Sequence, residues 1–284
     1  MALKAPIAVF SKPGHPLVAS VARTLTGWLE ARGEAVACDP ATAAALGRGD
    51  GVTDWHGCAP RLAVVLGGDG TLLRVARHLR GADVPLLGVN LGTLGFLTEL
   101  TAADLPQGLE PILAGDYVCD RRGVVAAQVL RGGRPVARMD GLNEAVISKG
   151  APARIIELEL LVNDIPVSVL RADGLIVSTA TGSTAYSLSA GGPVLHPALE
   201  AWVITPICPH TLSNRPLIVH DTAIIEARLR NAAEQTFLTL DGQEGVPLEA
   251  GDRVLCRKGE HEVTLVRQSR HSFFSVLRDK LNWA

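Results

Sequence analysis

The stretch Leu62-Ala63-Val64-Val65-Leu66-Gly67-Gly68-Asp69-Gly70-Thr71-Leu72-Leu73 decides how the rest of the chain is read. Leu62 to Leu66 is a continuous apolar run, the pattern of a strand buried on both faces. It stops at Gly67-Gly68, where two residues without Cβ supply backbone angles that others avoid and let a ligand approach the main chain. After Thr71, the residues Leu72, Leu73, Val75, Ala76 and Leu79 recur at helical spacing. Strand, glycine turn and helix N-terminus together make a place where backbone N–H groups and the helix dipole favour phosphate. Gly67, Gly68, Gly70 and Thr71 are therefore the candidate phosphate-binding loop. A carboxylate is an odd neighbour for phosphate unless it handles a proton, a hydroxyl or a metal, which singles out Asp69. The plainer alternative is an ordinary tight turn with Asp69 as a helix cap. The third glycine of the dinucleotide fingerprint is missing, because Thr71, Leu72 and Leu73 follow Gly70.

Upstream, Ile7 to Phe10 reads as a strand, Leu17 to Leu29 as a helix stopped at Gly33, and Glu34 to Cys38 as a second strand. Asp39 to Pro60, rich in Ala, Gly and Asp, reads as a loop with at most one helical turn. Downstream, Pro85 to Asn90 reads as another buried strand, and Leu105 to Leu113 as a helix ending at Gly115. Strands alternating with helices predict a parallel sheet with right-handed crossovers. Ligands bind such sheets at the carboxyl ends of strands, where Asp69 and Asn90 to Phe96 would lie.

The pattern changes near Asp116. Short strands and turns follow, read over Val124–Leu130, Pro135–Met139, Ala145–Ser148, Ile156–Val162, Ile165–Leu170, Leu175–Thr179, Trp202–Ile207, Leu217–Val219, Ala223–Leu229, Thr236–Leu240, Arg253–Cys256 and Glu262–Val266. Ser272 to Trp283 returns to helical spacing. The expected fold is an α/β domain with a parallel sheet over residues 1–118 and an all-β domain over 119–268, with a final helix, 269–284, that packs back on the first domain.

At 284 residues the chain can hold two such domains. A formal net charge of -2 gives no overall basic field for nucleic acid or an anionic membrane, so substrate anions must be met locally. No segment approaches the length of a membrane span. Cys38, Cys58, Cys119, Cys208 and Cys256 are scattered and form no C-x-x-C pair, which favours reduced thiols in the cytoplasm over a disulfide frame or a zinc site.

A second constellation lies in the β-rich part. Arg171-Ala172-Asp173-Gly174 is followed by Thr179-Ala180-Thr181-Gly182-Ser183-Thr184-Ala185-Tyr186-Ser187-Leu188-Ser189-Ala190-Gly191-Gly192-Pro193. So many hydroxyls suit a polar wall leading into a short helix that starts near Ser183 or Thr184, or a surface turn with a capped helix. Asn143-Glu144 and the Asp241-Gly242-Gln243 turn place further polar groups beside apolar strands. These blocks, with Gly67 to Thr71, Asn90 to Leu97, Thr205 to His210 and Phe273-Phe274-Ser275-Val276-Leu277-Arg278, resemble the NAD kinases in order and spacing over effectively the whole chain. Ala180 departs from the pattern, where the family usually has Pro.

The resemblance implies transfer of the γ-phosphate of ATP to the adenosine ribose 2′-hydroxyl of NAD, giving NADP, with Asp69 as the catalytic proton acceptor. It also implies a divalent cation, Mg²⁺, on the ATP phosphates, although the sequence shows no dedicated metal cage. Asp69, Gly70, Arg74 and Phe96 would meet the dinucleotide or its phosphates. Asn143 and Glu144 would hydrogen-bond adenine or ribose groups, and Asp173 a ribose diol. Thr181 and Thr184, Ala185, Tyr186, Ser187, Leu188 and Ser189 would line the dinucleotide, with Tyr186 stacking. Arg154 and Arg171 would face phosphates or a neighbouring subunit, and Gln243 would close the site. The family also implies a homodimer or homotetramer formed through the β-domain.

Rival chemistries find little support. No lysine follows a glycine and precedes Ser or Thr, so there is no Walker A loop. Ser189-Ala190-Gly191 lacks the glycine two residues before the serine that a nucleophile elbow needs, since Ser187 stands there. His261-Glu262 lacks the second histidine of a zinc-protease helix, and His210, after Pro209, reads as structural. A lipid or sugar kinase would share the glycine turn and leave Thr181 to Pro193 unexplained. A dinucleotide sensor with the same fold would gain nothing from a carboxylate at position 69.

Overall fold

The computed structural model describes residues 5–150, 155–210, 214–231, 235–268 and 272–282. The chain divides into two compact units, one of Met1–Arg121 with Val263–Ala284 and one of Arg122–Glu262.

The first unit runs through β1 (Ile7–Ser11), α1 (Val18–Glu30), β2 (Val36–Cys38), α2 (Pro40–Ala45), α3 (Trp55–Cys58), β3 (Leu62–Leu66), α4 (Asp69–His78), β4 (Leu86–Asn90), β5 (Leu100–Thr101) and α5 (Leu109–Leu113). β2, β1, β3 and β4 pair in that order, all parallel, and β5 adds to β4. Every residue of β1, β3 and β4 is buried, which is why their sequences are unbroken apolar runs. α1 turns Val18, Ala22, Leu25 and Leu29, three or four residues apart, into a core with Ile7, Val9, Val64, Leu66 and Val89. The chain leaves β1 for β2 on one side while β3 lies on the other. The carboxyl ends of β1 and β3 are therefore a topological switch point, and Asp69 follows β3 there.

The 39–60 stretch holds two short helices where one turn at most is expected. Asp39 caps α2 by accepting the Thr42 N–H at 2.9 Å, and Asp54 caps α3 by accepting the Gly57 N–H at 3.0 Å. α3 is held by Trp55, buried against Phe10 with ring centroids 4.4 Å apart. A four-residue helix fixed by one tertiary contact leaves no periodic trace in sequence.

The second unit is built from β6 (Val118–Arg131), β7 (Arg134–Gly141), β8 (Glu144–Lys149), β9 (Ile156–Val162), β10 (Ile165–Ala172), β11 (Gly174–Ser178), a 3₁₀ turn (Thr181–Thr184), α6 (Tyr186–Ser189), β12 (Ala201–Ile207), β13 (Leu217–His220), β14 (Ile225–Asn231), β15 (Thr236–Leu240), β16 (Glu244–Leu248) and β17 (Arg253–Arg267). One antiparallel sheet has the order β13-β12-β11-β8-β15-β16; in the other, β10, β9, β14 and the first part of β17 are neighbours and β6 pairs β7. Side chains of both sheets share one core, among them Val125, Ile147, Leu158, Val177, Trp202, Ile225 and Leu238. Full burial of each such side chain is worth about 1.5–3 kcal/mol. β9 keeps Glu157 and Glu159 half exposed between buried neighbours, the expected period of two.

Two strand expectations are corrected. Arg253–Cys256 and Glu262–Val266 are one fifteen-residue strand, β17. Its middle, Arg257 to Glu262, is largely exposed and polar and so hides the alternation. β16 went unread because it is an edge strand carrying Gly245 and Pro247, residues that weaken a strand signal and are tolerated at an edge. From Val263, within β17, the chain is back in the first unit, where α7 (Phe273–Leu281) is capped by Ser272, whose Oγ accepts the Ser275 N–H at 3.2 Å. All five cysteines are unpaired thiols. Among the described residues no helix is long and apolar enough to cross a membrane.

Candidate active site

In the first unit, Asp69 opens α4 and is half buried. Its Oδ2 accepts the Phe96 N–H at 2.9 Å and its Oδ1 the Leu97 N–H at 3.1 Å. The loop that presents these donors is itself tied down. The Gly95 N–H donates to Thr98 Oγ1 at 2.7 Å and the Gly92 N–H to Asn90 Oδ1 at 2.9 Å. Asp69 is thus aimed by two backbone donors, and each carboxylate oxygen keeps a further lone pair for a hydroxyl. Arg74, one turn into α4, donates through Nη2 to the Ser11 carbonyl at 2.9 Å, at the carboxyl end of β1.

The glycine pair works differently from the expectation. Neither Gly67 nor Gly68 has a positive φ; Gly68 is extended at φ -90°, ψ -172°. Gly67 is required for space, since a Cβ there would stand 2.4 Å from Oγ1 of the buried Thr71. Gly70 faces open space, with nothing within 4 Å of where its Cβ would be.

In the second unit the polar residues gather around Asn143-Glu144. The Asp241 carboxylate accepts three successive backbone donors: the Leu142 N–H on Oδ2 at 2.8 Å, and those of Asn143 and Glu144 on Oδ1 at 2.7 and 3.1 Å. Asn143 and Glu144 are both buried. Burial, and after it the Asp241 carboxylate, push the Glu144 carboxyl up to about 8, so at neutral pH it is a hydrogen-bond donor. Asn143 Oδ1 and Glu144 Oε2 have no hydrogen-bond partner among the described residues, rare for buried polar atoms in a loop otherwise so fully bonded.

The hydroxyl-rich segment packs onto this loop. Thr179 Oγ1 donates to the Leu142 carbonyl at 2.7 Å and accepts the Gly182 N–H at 3.0 Å. A Cβ on Gly182 would stand 2.1 Å from the Asn143 carbonyl oxygen, so only glycine fits there. The helix begins later than expected, the 3₁₀ turn over Thr181–Thr184 coming before α6. Thr184, Ala185 and Leu188 are half buried, and Tyr186 and Ser189 are exposed. Ser187 is fully buried with Oγ 2.9 Å from Thr205 Oγ1, so its hydroxyl braces the segment. Asp173, half exposed after β10, has Lys149 Nζ 2.9 Å from Oδ1. Arg171 is exposed on β10, and Gln243 is exposed beyond the Asp241-Gly242 turn. Arg154 lies outside the described residues.

Residues 7–117 match the family described as the ATP-NAD kinase N-terminal domain, and residues 142–268 the ATP-NAD kinase C-terminal domain. The chain belongs to the ATP-NAD kinase family. Among its relatives, the NAD kinase of Geobacter metallireducens is 48% identical over 277 residues, and that of Syntrophotalea carbinolica 46% identical over 280, each alignment covering 98% of both chains. Among solved structures, an NAD kinase from Archaeoglobus fulgidus in complex with ATP is 26% identical with a TM-score of 0.78, covering 98% of both chains. Yeast NADH kinase complexed with NADH shares the fold at a TM-score of 0.89 and 23% identity, over 100% of this chain and 89% of that one. The reaction of the ATP-NAD kinase family, phosphorylation of NAD to NADP, is therefore the reaction of this chain.

Sequence reading passed over residues that the structure ties to the candidate set. Arg122, buried on β6, donates through Nη1 to Thr181 Oγ1 at 3.1 Å, and Lys149 pairs with Asp173. An arginine or lysine within a strand carries no local signal of such a partner. Asp241 was legible as the first residue of a turn; that the turn is a hairpin, with φ of +51° ahead of Gly242 at +65°, and that Asp241 holds three backbone partners nearly 100 positions away were not. Among the described residues, one group of potential metal ligands, Glu200, His220 and Asp221, comes within 4.8 Å of one another. Its positive charge is already supplied by Lys258, whose Nζ is 2.6 Å from Asp221 Oδ2 and 3.5 Å from Glu200 Oε1.

Proposed function

We propose that this chain transfers the γ-phosphate of ATP to the adenosine ribose 2′-hydroxyl of NAD, with Asp69 taking the hydroxyl proton. The acceptor assignment rests above all on the buried, unpartnered Asn143 Oδ1 and Glu144 Oε2, held in a loop that Asp241 fixes through three N–H groups. A ligand's adenine or ribose edge satisfies such atoms, and leaving them bare costs about 1–3 kcal/mol each. Asp173 binds a ribose diol, Thr181 and the segment Thr184 to Ser189 line the dinucleotide with Tyr186 stacking and Ser187 bracing the segment through Thr205, and Arg154, Arg171 and Gln243 complete the set.

Phosphoryl transfer asks the protein mainly to align a hydroxyl with the γ-phosphate and to stabilise charge. Asp69 is suited to the first task because two backbone donors fix its carboxylate while lone pairs remain to accept the proton. Gly67, Gly68, Gly70 and Thr71 cradle phosphate at the α4 N-terminus, with Arg74 and Phe96 flanking it. A Mg²⁺ would be held by the triphosphate and water. The ion neutralises phosphate charge. We assign the chain to the cytoplasm on its five unpaired thiols, and to a homodimer or homotetramer through the second unit. The edge strand β10 supports the latter, exposing Ile165, Val167 and Val169 on one face.

NADP formation, read with an NADP-specific dehydrogenase, tests the donor. Turnover that needs both ATP and a divalent cation supports the reading, and undiminished turnover on another phosphoryl donor without ATP contradicts it.

A further inference from the structure

We infer that Arg267, at the end of β17, is a positioning residue for Asp69. The inference rests on Asp69 as the proton acceptor. It starts from a single peptide group. The Leu97 N–H donates to Asp69 Oδ1 at 3.1 Å, and the carbonyl of that same peptide, on Phe96, accepts Arg267 Nη2 at 2.8 Å. A trans peptide is a rigid plane with C=O and N–H pointing in opposite directions. Arg267 and Asp69 therefore hold its two ends, and neither end moves without turning the other. A guanidinium on the carbonyl also polarises the peptide and strengthens its N–H as a donor.

The rest of the guanidinium fastens the same loop. Nη1 donates to Glu99 Oε2 at 3.1 Å and to the Thr98 carbonyl at 3.4 Å, and Nε is 3.6 Å from Asp120 Oδ2. Glu99 is 2% exposed, and its other oxygen accepts the Gln268 N–H at 2.9 Å. The loop from Phe96 to Glu99 is thus bolted to the strand end by a planar fork that lysine cannot reproduce.

The test compares Arg267→Lys, Arg267→Gln and Asp69→Asn. Lysine keeps a cation beside the buried Glu99, so Arg267→Lys guards against simple loss of the fold. The expected result is a kcat lower by about 10-fold for Lys and about 100-fold for Gln, with KM for NAD changed less than about threefold and faster hydrogen exchange at the Leu97 amide. If Asp69→Asn is inactive while Arg267→Lys keeps wild-type kcat and Leu97 protection, positioning is overturned. A kcat that falls only with the folded fraction, at unchanged Leu97 exchange, overturns it as well. Should Asp69→Asn turn over normally, the proton-acceptor reading itself fails, which separates the two failures.

Discussion

The Cβ that Gly95 lacks would stand 2.0 Å from Oδ1 of Asp69 and 2.5 Å from its Cγ. The carboxylate lies over the backbone of the loop that hydrogen-bonds it, so Gly95 is the space Asp69 occupies. Gly95→Ala should push the carboxylate off the Phe96 and Leu97 donors. The expected outcome is a kcat lower by about 100-fold, with circular dichroism and melting close to wild type. Unchanged turnover would mean that Asp69 tolerates another position.

Asp241 should act on binding more than on chemistry. Asp241→Asn replaces one of two acceptor oxygens with an amide NH2, itself a donor, facing backbone N–H groups, so the 142–144 loop loses part of its anchor. KM for NAD is expected to rise about 10-fold with kcat within about threefold. Steady-state kinetics at saturating ATP would show it, and a fall in kcat alone would contradict it.

Two buried glutamates give stability opposite slopes with pH. The folded state raises Glu144 from 4.5 to about 8, so its contribution is fully present below about pH 4.5 and is lost as pH rises to about 8. Arg253, and then Arg228, lower Glu226 to about 2, so its contribution is present above about pH 4.5 and lost as pH falls towards 2. Arg253 grips Glu226 with two bonds of 2.6 and 3.0 Å. Glu144→Gln should therefore match wild type near pH 4.5 and melt higher at pH 8, on the order of 5 °C. Glu226→Gln should melt lower than wild type at pH 7 and converge with it near pH 2. Melting curves across pH read both slopes, and parallel curves would refute the assignments.

Ala180→Pro should stabilise the protein without altering its chemistry. Ala180 has φ -59°, which proline adopts without strain, and its side chain is buried in an apolar cluster with Leu195 and Val203, where a ring adds apolar contact. The expected gain is about 0.4–1 kcal/mol, seen as a Tm higher by about 1–4 °C at unchanged kcat. A lower Tm would show that the Thr179–Ala180 turn cannot accept the ring.

The parts legible in sequence were those whose physics is local. β3 and β4 are buried on both faces and so wrote unbroken apolar runs, and β9 wrote its alternation. Asn163-Asp164, the two residues between β9 and β10, have φ of +50° and +63°, the positive values that a type I′ hairpin turn requires and that Asn and Asp tolerate. The hidden parts depend on distant partners. α3 needs Phe10, β16 needs β15, and the middle of β17 is polar on an exposed face. In the site, Asp69 was readable because a carboxylate in a glycine turn suited to phosphate is anomalous. Arg267 was not, because its partners lie some 170 positions away and a strand-end arginine is commonplace.

The most direct measurement is Asp69→Asn, with turnover read by NADP formation and NAD affinity by calorimetry on the same preparation. The expected result is a kcat lower by about 10³-fold with Kd for NAD within about threefold of wild type, since Asn preserves shape and removes the proton acceptor. Near-normal turnover, or affinity lost in proportion to activity, would contradict Asp69 as the residue that takes the proton.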